Sequence, residues 1–359
     1  MAFTLNSYPI VYRAKYSGGA WKEEFLEQPH KTVEEEARLS PAEAAALMYS
    51  RNCFSDMPLV NYTTQYGLGC FEGLKALPQK SGGFALFRPE NNASRFYNSM
   101  KGLYMPPFPQ EMFVNGIKEM VQRNIQLGFC PVYKTEWEKD SFISADSIYL
   151  RPFSYSEGGI GVNISSEPWV VIIATTVSAY FSEGKSDAIV TEKIRATPKG
   201  TGWIKADANY TIAALAKHEA LQQGYMECIF LDVENRKYIE EGSSCNIFFY
   251  LKSGELVTPE LGDTILPGIT RLSLIELAAD KGIKVSERKI SIEEVFSEAK
   301  ECFVSGTAAG AVPISSITWN GKKVSFNYPG ELGTDLQKTL KGMQYGLLPD
   351  TKGWLKTIG

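Results

Sequence analysis

The chain is poor in histidine. His30 and His218 are the only two in 359 residues, and His218 reads as a packed or solvated helix residue. This shortage excludes a histidine-centred triad and a metal site built from several histidines. Cysteine is scattered: Cys53, Cys70, Cys130, Cys228, Cys245 and Cys302 contain no CxxC pair. They predict reduced, mostly core thiols rather than a disulfide framework or a zinc site. Long apolar runs are missing as well. The most apolar stretch, WVVIIATTVSAY at 169–180, is far too short to span a bilayer and reads as a buried strand. The opening residues lack a charged segment followed by an apolar one, which predicts no secretory signal and a cytoplasmic location. There is no excess of basic charge: 37 Lys and Arg stand against 41 Asp and Glu, a net charge of -4. That argues against a nucleic-acid or membrane-surface partner. No Walker A, GxSxG or HExxH motif occurs. YGLGCFEG, at 66–73, has Gly67 and Gly69 at the first spacing of a dinucleotide fingerprint, but Glu72 stands where the third glycine belongs.

What is present is ordinary for a soluble globular protein, with 44% hydrophobic and 22% charged residues. Strand and helix signals alternate throughout, so the fold class is α/β or α+β. Ser40, Pro41 and Glu43 form a helix start with a capping box. GGFALFRPENNASRF predicts a strand through Phe87, a turn at Pro89 and a helix carrying Arg95. The small, polar SAYFSEGKSD predicts a linker. The expected division is an N-terminal smaller domain at 1–177, a linker at 178–187 and a larger C-terminal domain at 188–359.

One lysine is unusually placed. In GTGWIKADANYTIAALAK, Lys205 follows a loop with Gly200 and Gly202 and precedes an alanine-rich helix. That helix is expected from about Asn209 to Gly224, with Ile212, Ala214 and Leu215 near one face. With so few histidines, lysine is one of the remaining proton carriers. Further on, LPGITR places Ile269 and Thr270 at a helix start behind Gly268, where amides and the helix dipole favour an anion. FVSGTAAGAV breaks a strand with small residues that permit close approach of a ligand. IEEGSSCNIFF sets Glu240 and Glu241 at a strand end. Each segment alone also fits a plain turn or helix start. Together they supply an activated lysine, an anion site, an acid and several tyrosines. That set suits a phosphate-bearing carbonyl cofactor, pyridoxal 5'-phosphate.

The same stretches, in order, resemble the branched-chain amino-acid aminotransferases of the fold type IV class of pyridoxal-phosphate enzymes. They are FEGLKA, LFRPENNASRFYNS, SIYLRPF, AYFSEG, GTGWIKADANY, IEEGSSCNIF, ILPGITR, VSGTA and MQYG, spanning about Tyr66 to Tyr345. The resemblance implies two α/β domains with the cofactor between them, and a homodimer whose site is completed across the subunit interface. It implies that Lys205 bonds covalently to the cofactor's aldehyde, Glu241 pairs with the pyridine nitrogen, and Tyr210 bonds the phenolic oxygen. Arg95, Ile269, Thr270 and Thr307 would hold the phosphate, with Arg195 behind them. Tyr66, Ser244 and Ala308 would receive the substrate's α-carboxylate. Phe71, Tyr149 and Tyr180 would line the side-chain pocket, and Arg151 would accept glutamate's distal carboxylate. The implied reaction moves the amino group of L-leucine, L-isoleucine or L-valine to 2-oxoglutarate, giving the 2-oxo acid and L-glutamate. Mammalian members carry a redox CxxC after SGTA. Here those positions are Ala309 and Val312, so thiol control of that kind is not expected.

Within the fold, a D-amino-acid aminotransferase or an aminodeoxychorismate lyase is the alternative. Outside it stands a non-catalytic binder of phosphorylated metabolites, which would use the anion site without the lysine.

Overall fold

A computed structural model describes residues 5–178 and 186–358. Tyr180 and most of the expected linker 178–187 lie outside the described residues. The described chain divides into two compact units. One comprises 5–178, 206–208 and 344–358, and the other 186–205 and 209–343.

The first unit is built on a seven-stranded sheet in which every neighbouring pair is antiparallel. Its order is Leu355–Ile358, Phe84–Phe87, Leu74–Pro78, Ser147–Tyr155, Trp169–Val177, Ile10–Ser17 and Ala20–Glu27. The apolar run Trp169–Val177 lies inside this sheet and is buried along most of its length. Ser147–Tyr155 alternates instead. Ile148, Leu150, Pro152 and Ser154 are buried, while Tyr149, Arg151, Phe153 and Tyr155 share the other, half-open face. Helices Pro89–Gly102 and Gln110–Gln126 bury Phe96, Met100, Phe113, Ile117 and Met120. At Gly116 a Cβ would stand 2.6 Å from the Tyr12 ring, so the glycine lets helix and strand close together. The capping box at Ser40 and Glu43 is formed, with both reciprocal hydrogen bonds present.

The second unit has two five-stranded sheets. One runs Lys284–Glu287, Glu255–Thr258, Asn246–Leu251, Ala299–Gly306, Gly310–Ile314. The other runs Lys322–Ser325, Ser316–Trp319, Asp187–Val190, Glu227–Leu231, Ile239–Gly242. Parallel and antiparallel pairs are mixed. Side chains from both sheets, among them Ile229, Leu231, Ile247, Phe249, Val304 and Ile314, meet in one core.

Two segments depart from the expected division at residue 188. Residues 344–358 join the first unit, because Leu355–Ile358 pairs antiparallel with Phe84–Phe87 as an edge strand. Residues 206–208 join it too. Ala206 bridges Cys70, and the Asp207 amide donates to the Gly69 carbonyl at 2.9 Å. The helix after Lys205, Asn209–Gln222, also turns a different face inward. Ala213, Ala216 and Ala220 are buried, whereas Ala214 is exposed and Leu215 is 52% exposed. The small side chains let the helix sit close on Cys228 and Phe230, a fit that leucine would prop open.

Among the described residues no helix is long and apolar enough to cross a membrane. All six cysteines are free, and no cluster of three or more His, Cys, Asp or Glu is placed to hold a metal among the described residues.

Candidate active site

Lys205 ends a loop that is pinned on several sides. At Gly202 a Cβ would lie 2.6 Å from the Ala196 Cβ and 2.7 Å from the Asp263 carbonyl oxygen, so only glycine fits. The Trp203 amide donates to that same carbonyl at 3.0 Å. Asn209, first residue of the helix, donates to the carbonyls of Thr201 at 2.7 Å and Ile204 at 2.9 Å. The lysine is thus delivered by a closed loop rather than a free one. Its Nζ donates to the Tyr210 hydroxyl at 2.7 Å, so the two residues expected to address the cofactor's reactive edge are already paired.

Glu241 lies in the same unit, on the strand Ile239–Gly242, and is buried. Arg195 Nη2 stands 2.6 Å from its Oε1, and Asn246 Nδ2 donates to its Oε2 at 3.0 Å. Burial pushes the Glu241 carboxyl up to about 7, against the pull of Arg195. Neighbouring Glu240 points to the other face of the strand. Burial raises it too, and its Oε2 has no hydrogen-bond partner among the described residues. Arg195 also braces the backbone. Its Nη2 also donates to the carbonyls of Gly202 at 2.8 Å and Thr264 at 2.6 Å, tying the acid to the lysine loop.

The helix Ile269–Asp280 begins at Gly268, whose lack of a side chain leaves the first-turn amides without a side-chain cap. A helix start of this kind can take an anion, the role that the resemblance implies for Ile269 and Thr270. A Cβ at Gly268 would meet Asn246 Oδ1 at 2.0 Å, and Asn246 also donates to the Leu266 carbonyl at 2.9 Å. One asparagine therefore braces both the acid and the start of the helix. Thr307 and Ala308 sit in the turn between Ala299–Gly306 and Gly310–Ile314. Ser244 lies in the adjoining turn, its carbonyl 3.9 Å from where a Cβ of Gly306 would be.

In the first unit, Phe71, Tyr149 and Arg151 share a sheet face. The Arg151 guanidinium lies 4.7 Å from the Phe71 ring centre and 5.3 Å from that of Tyr149, and donates to the Tyr149 hydroxyl at 3.0 Å. A Cβ on Gly73 would fall 2.2 Å from that hydroxyl, so the glycine makes room for it. Arg95 is bidentate to Glu72, at 2.6 and 2.8 Å. A guanidinium so neutralised offers a phosphate hydrogen bonding more than net charge. The Tyr66 hydroxyl accepts from the Gly161 amide at 2.8 Å.

The second unit's residues fit the implied pyridoxal phosphate. An uncapped helix start suits a phosphate, a buried acid suits a cationic ring nitrogen, and a tethered lysine stands with its tyrosine. Arg195 Nε is buried without a partner among the described residues, a donor in reserve beside that acid. Sequence patterns do not single out Asn246, Asn209 or Asp207. A buried asparagine opening an otherwise apolar strand is the available signal for the first of them.

Comparison with known proteins agrees. The model of the class IV amino-transferase family matches residues 69–317. The branched-chain-amino-acid aminotransferase of Mycolicibacterium smegmatis is 37% identical over 82% of this chain and 80% of its own length. A mitochondrial branched-chain amino acid aminotransferase of Humulus lupulus is 36% identical over 82% of this chain and 72% of its own. Among solved structures, the Escherichia coli branched-chain amino acid aminotransferase superposes with a TM-score of 0.74 at 27% identity, covering 98% of this chain and all of that one. The T.th. branched-chain amino acid aminotransferase complexed with N-(5'-phosphopyridoxyl)-L-glutamate gives 0.73 at 27% identity, over 98% of this chain and 99% of that one. With its lysine, buried acid and uncapped helix so arranged, the chain belongs to the class IV aminotransferases, and within them to the branched-chain-amino-acid aminotransferases.

Proposed function

We propose that the protein reversibly transfers the amino group of L-leucine, L-isoleucine or L-valine to 2-oxoglutarate, yielding the branched 2-oxo acid and L-glutamate. The observation that carries this substrate choice is the face where Arg151 lies over Phe71 and Tyr149. Aromatic walls suit an aliphatic chain, each buried methylene contributing roughly 0.8 kcal/mol. The same walls would penalise an unpaired carboxylate, and the guanidinium answers the distal carboxylate of glutamate.

Pyridoxal phosphate, when bound, supplies an electron-withdrawing ring conjugated to the substrate's amino-bearing carbon. This chain's residues do the rest. Lys205 would anchor the cofactor until the substrate's amine displaces it, and its freed Nζ would then take the proton from the substrate Cα and deliver it to the carbon that had borne the aldehyde. The Tyr210 hydroxyl, 2.7 Å away, aims that amine. Glu241 keeps a proton on the ring nitrogen, and Arg195 with Asn246 holds the carboxylate in place to do so. The amides of Ile269 and Thr270, with Thr307 and Arg95, fix the phosphate. Ser244, Ala308 and Tyr66 receive the α-carboxylate.

We further propose a cytoplasmic homodimer. Leu59, Val60, Ile160 and Val162 are 81%, 52%, 80% and 94% exposed, on two segments joined by the Asn61–Gly158 bridge. Soluble chains seldom leave such a cluster open. Tyr66 bonds into the same cluster through Gly161, which is how a tyrosine of one subunit would serve the partner's site.

The test is spectroscopic and chemical. The purified protein should be yellow, and adding L-leucine should bleach the band and release 4-methyl-2-oxopentanoate. Subsequent 2-oxoglutarate should restore the band and yield L-glutamate. Borohydride should tag Lys205, and Lys205→Ala should do none of this. A colourless, folded protein, or a tag on another lysine, would refute the proposal.

A further inference from the structure

Asp207 follows the lysine by two residues, yet its side chain belongs to the sheet face of Arg151. Chain 206–208 runs beside 69–70, held by the Ala206–Cys70 bridge and the Asp207 amide on the Gly69 carbonyl. That stretch in turn pairs with the strand Ser147–Tyr155 through Phe71 and Phe153. Gly69, Phe71 and Gly73 alternate onto one face. A Cβ on Gly73 would strike the Tyr149 hydroxyl, and one on Gly69 would strike Asp207 Oδ2, each at 2.2 Å. Asp207's carboxylate therefore roofs Gly69 on the face that holds Phe71, Tyr149 and Arg151. Among the described residues it makes no hydrogen bond or ion pair, and Arg151 is the charge that acts on it. Arg151 in turn leaves its Nε buried without a partner among the described residues.

We propose that Asp207 is a specificity-determining residue: its carboxylate is the resident counter-charge of Arg151, and it weights the pocket toward aliphatic over dicarboxylate side chains. The proposal rests on the reading of Arg151 given above. An arginine beside a leucine side chain needs a balancing charge, and Asp207 provides one without occupying the guanidinium's hydrogen-bonding edge. A dicarboxylate brings its own balancing charge, so Asp207 then acts as a like charge against it.

Burial raises the Asp207 carboxyl to about 6, with Arg151 opposing. Arg151 acts on it from the strand Ser147–Tyr155, with Tyr149 farther along the same face over Gly73. Thr63, neutral, faces it from the helix Tyr62–Tyr66. Cys70 belongs to the adjoining stretch, and burial holds its thiol far up and uncharged. Glu72 points to the opposite face, locked by Arg95. Falling pH therefore neutralises Asp207 first on this face, and dicarboxylates gain.

Two unreactive ligands read this directly. Glutarate mimics glutamate and 4-methylpentanoate mimics leucine, and both share the α-carboxylate end. Calorimetry on the cofactor-loaded enzyme should show the glutarate-to-4-methylpentanoate affinity ratio rising about ten-fold in Asp207→Asn, the size of one pKa unit of charge interaction. In the wild type the ratio should rise on going from pH 7.5 to 6, and in Asp207→Asn it should rise less. Arg151→Ala should lose glutarate and keep 4-methylpentanoate. An unchanged ratio in Asp207→Asn, with Arg151→Ala still selective, overturns the role of Asp207 and leaves that of Arg151. Equal losses for both ligands in Arg151→Ala overturn both. Should Asp207→Asn fail to fold, a wild-type ratio that stays flat across that pH range overturns the proposal.

Discussion

The guanidinium of Arg195 lies 2.6 Å from the carboxylate of Glu241, and both side chains are about 95% buried. A pair this dry is held for its placement, since burying two charges costs about as much as their attraction returns. Held there, Glu241 would be the residue that keeps a proton on the cofactor's ring nitrogen. Glu241→Gln preserves shape and removes the charge that holds the proton. We expect kcat for L-leucine to fall by roughly 10²–10³-fold, a range typical of losing a positioned proton-holding or charge-stabilising group. Lys205 should still be tagged by borohydride. Stopped-flow single turnovers check this, and a loss below about five-fold would remove Glu241 from the chemistry.

The same residue makes a prediction about stability. Without cofactor, burial lifts the Glu241 carboxyl from 4.5 to about 7. Folding then favours the protonated acid, so its contribution is complete below pH 4.5 and is lost as pH rises through 7. Between pH 5.5 and 7.5 that loss is about 2 kcal/mol for a shift of this size. Asp207, raised to about 6, works in the same direction. Cofactor-free protein should melt at a lower temperature at pH 7.5 than at 5.5, and Glu241→Gln should reduce the difference. Cofactor should flatten it, since a cationic ring nitrogen pulls the acid back down. Scanning calorimetry of the cofactor-free wild type, cofactor-free Glu241→Gln and the cofactor-loaded wild type at both pH values decides, and identical slopes would refute the assignment.

Much of the candidate site is legible in the sequence because its signals are local. A glycine loop before a helix marks Lys205, and Pro-Gly before a helix marks the amides of Ile269 and Thr270. What is not legible is what pairs at long range. Asp207 reads as a loop residue until Gly69 is seen beneath it. Asn246 reads as the first residue of a strand until Glu241 and Gly268 close on it. The last strand has no local mark of pairing with Phe84–Phe87, some 270 residues earlier. Leucine outranks alanine in any hydrophobic pattern, so the close-packed alanine face of Asn209–Gln222 escapes a reading by periodicity.

The exposed cluster around Val162 predicts an assembly. If it lies between two subunits, Val162→Asp buries a charge with no partner there, a change that costs several kcal/mol per interface. We expect the variant to elute as a monomer in size exclusion with light scattering. Its activity should fall as well, because Tyr66 is tied to the same loop through Gly161. A variant that remains dimeric at micromolar concentration would place the interface elsewhere.

Gln337 holds the turn that carries Thr307 and Ala308. Its Oε1 accepts from the Ala311 amide at 2.6 Å, and its Nε2 donates to the Ala309 carbonyl at 3.0 Å. Gly310 between them adopts φ +81°, and a Cβ there would collide with the Gln337 side-chain amide. The side chain thus clamps both sides of the turn without itself reaching any group proposed to bind ligand. Gln337→Leu removes both bonds, about 1 kcal/mol each, and lets Thr307 and Ala308 drift. Cofactor affinity and KM for the amino acid should each weaken about five- to ten-fold, with kcat changing less than three-fold. Gln337→Glu keeps the acceptor for Ala311 but sets an oxygen against the Ala309 carbonyl, so it should fall between Gln337→Leu and the wild type. Equilibrium dialysis of the cofactor and steady-state kinetics separate these outcomes. A drop in kcat alone would mean that Gln337 acts on the chemistry by another route.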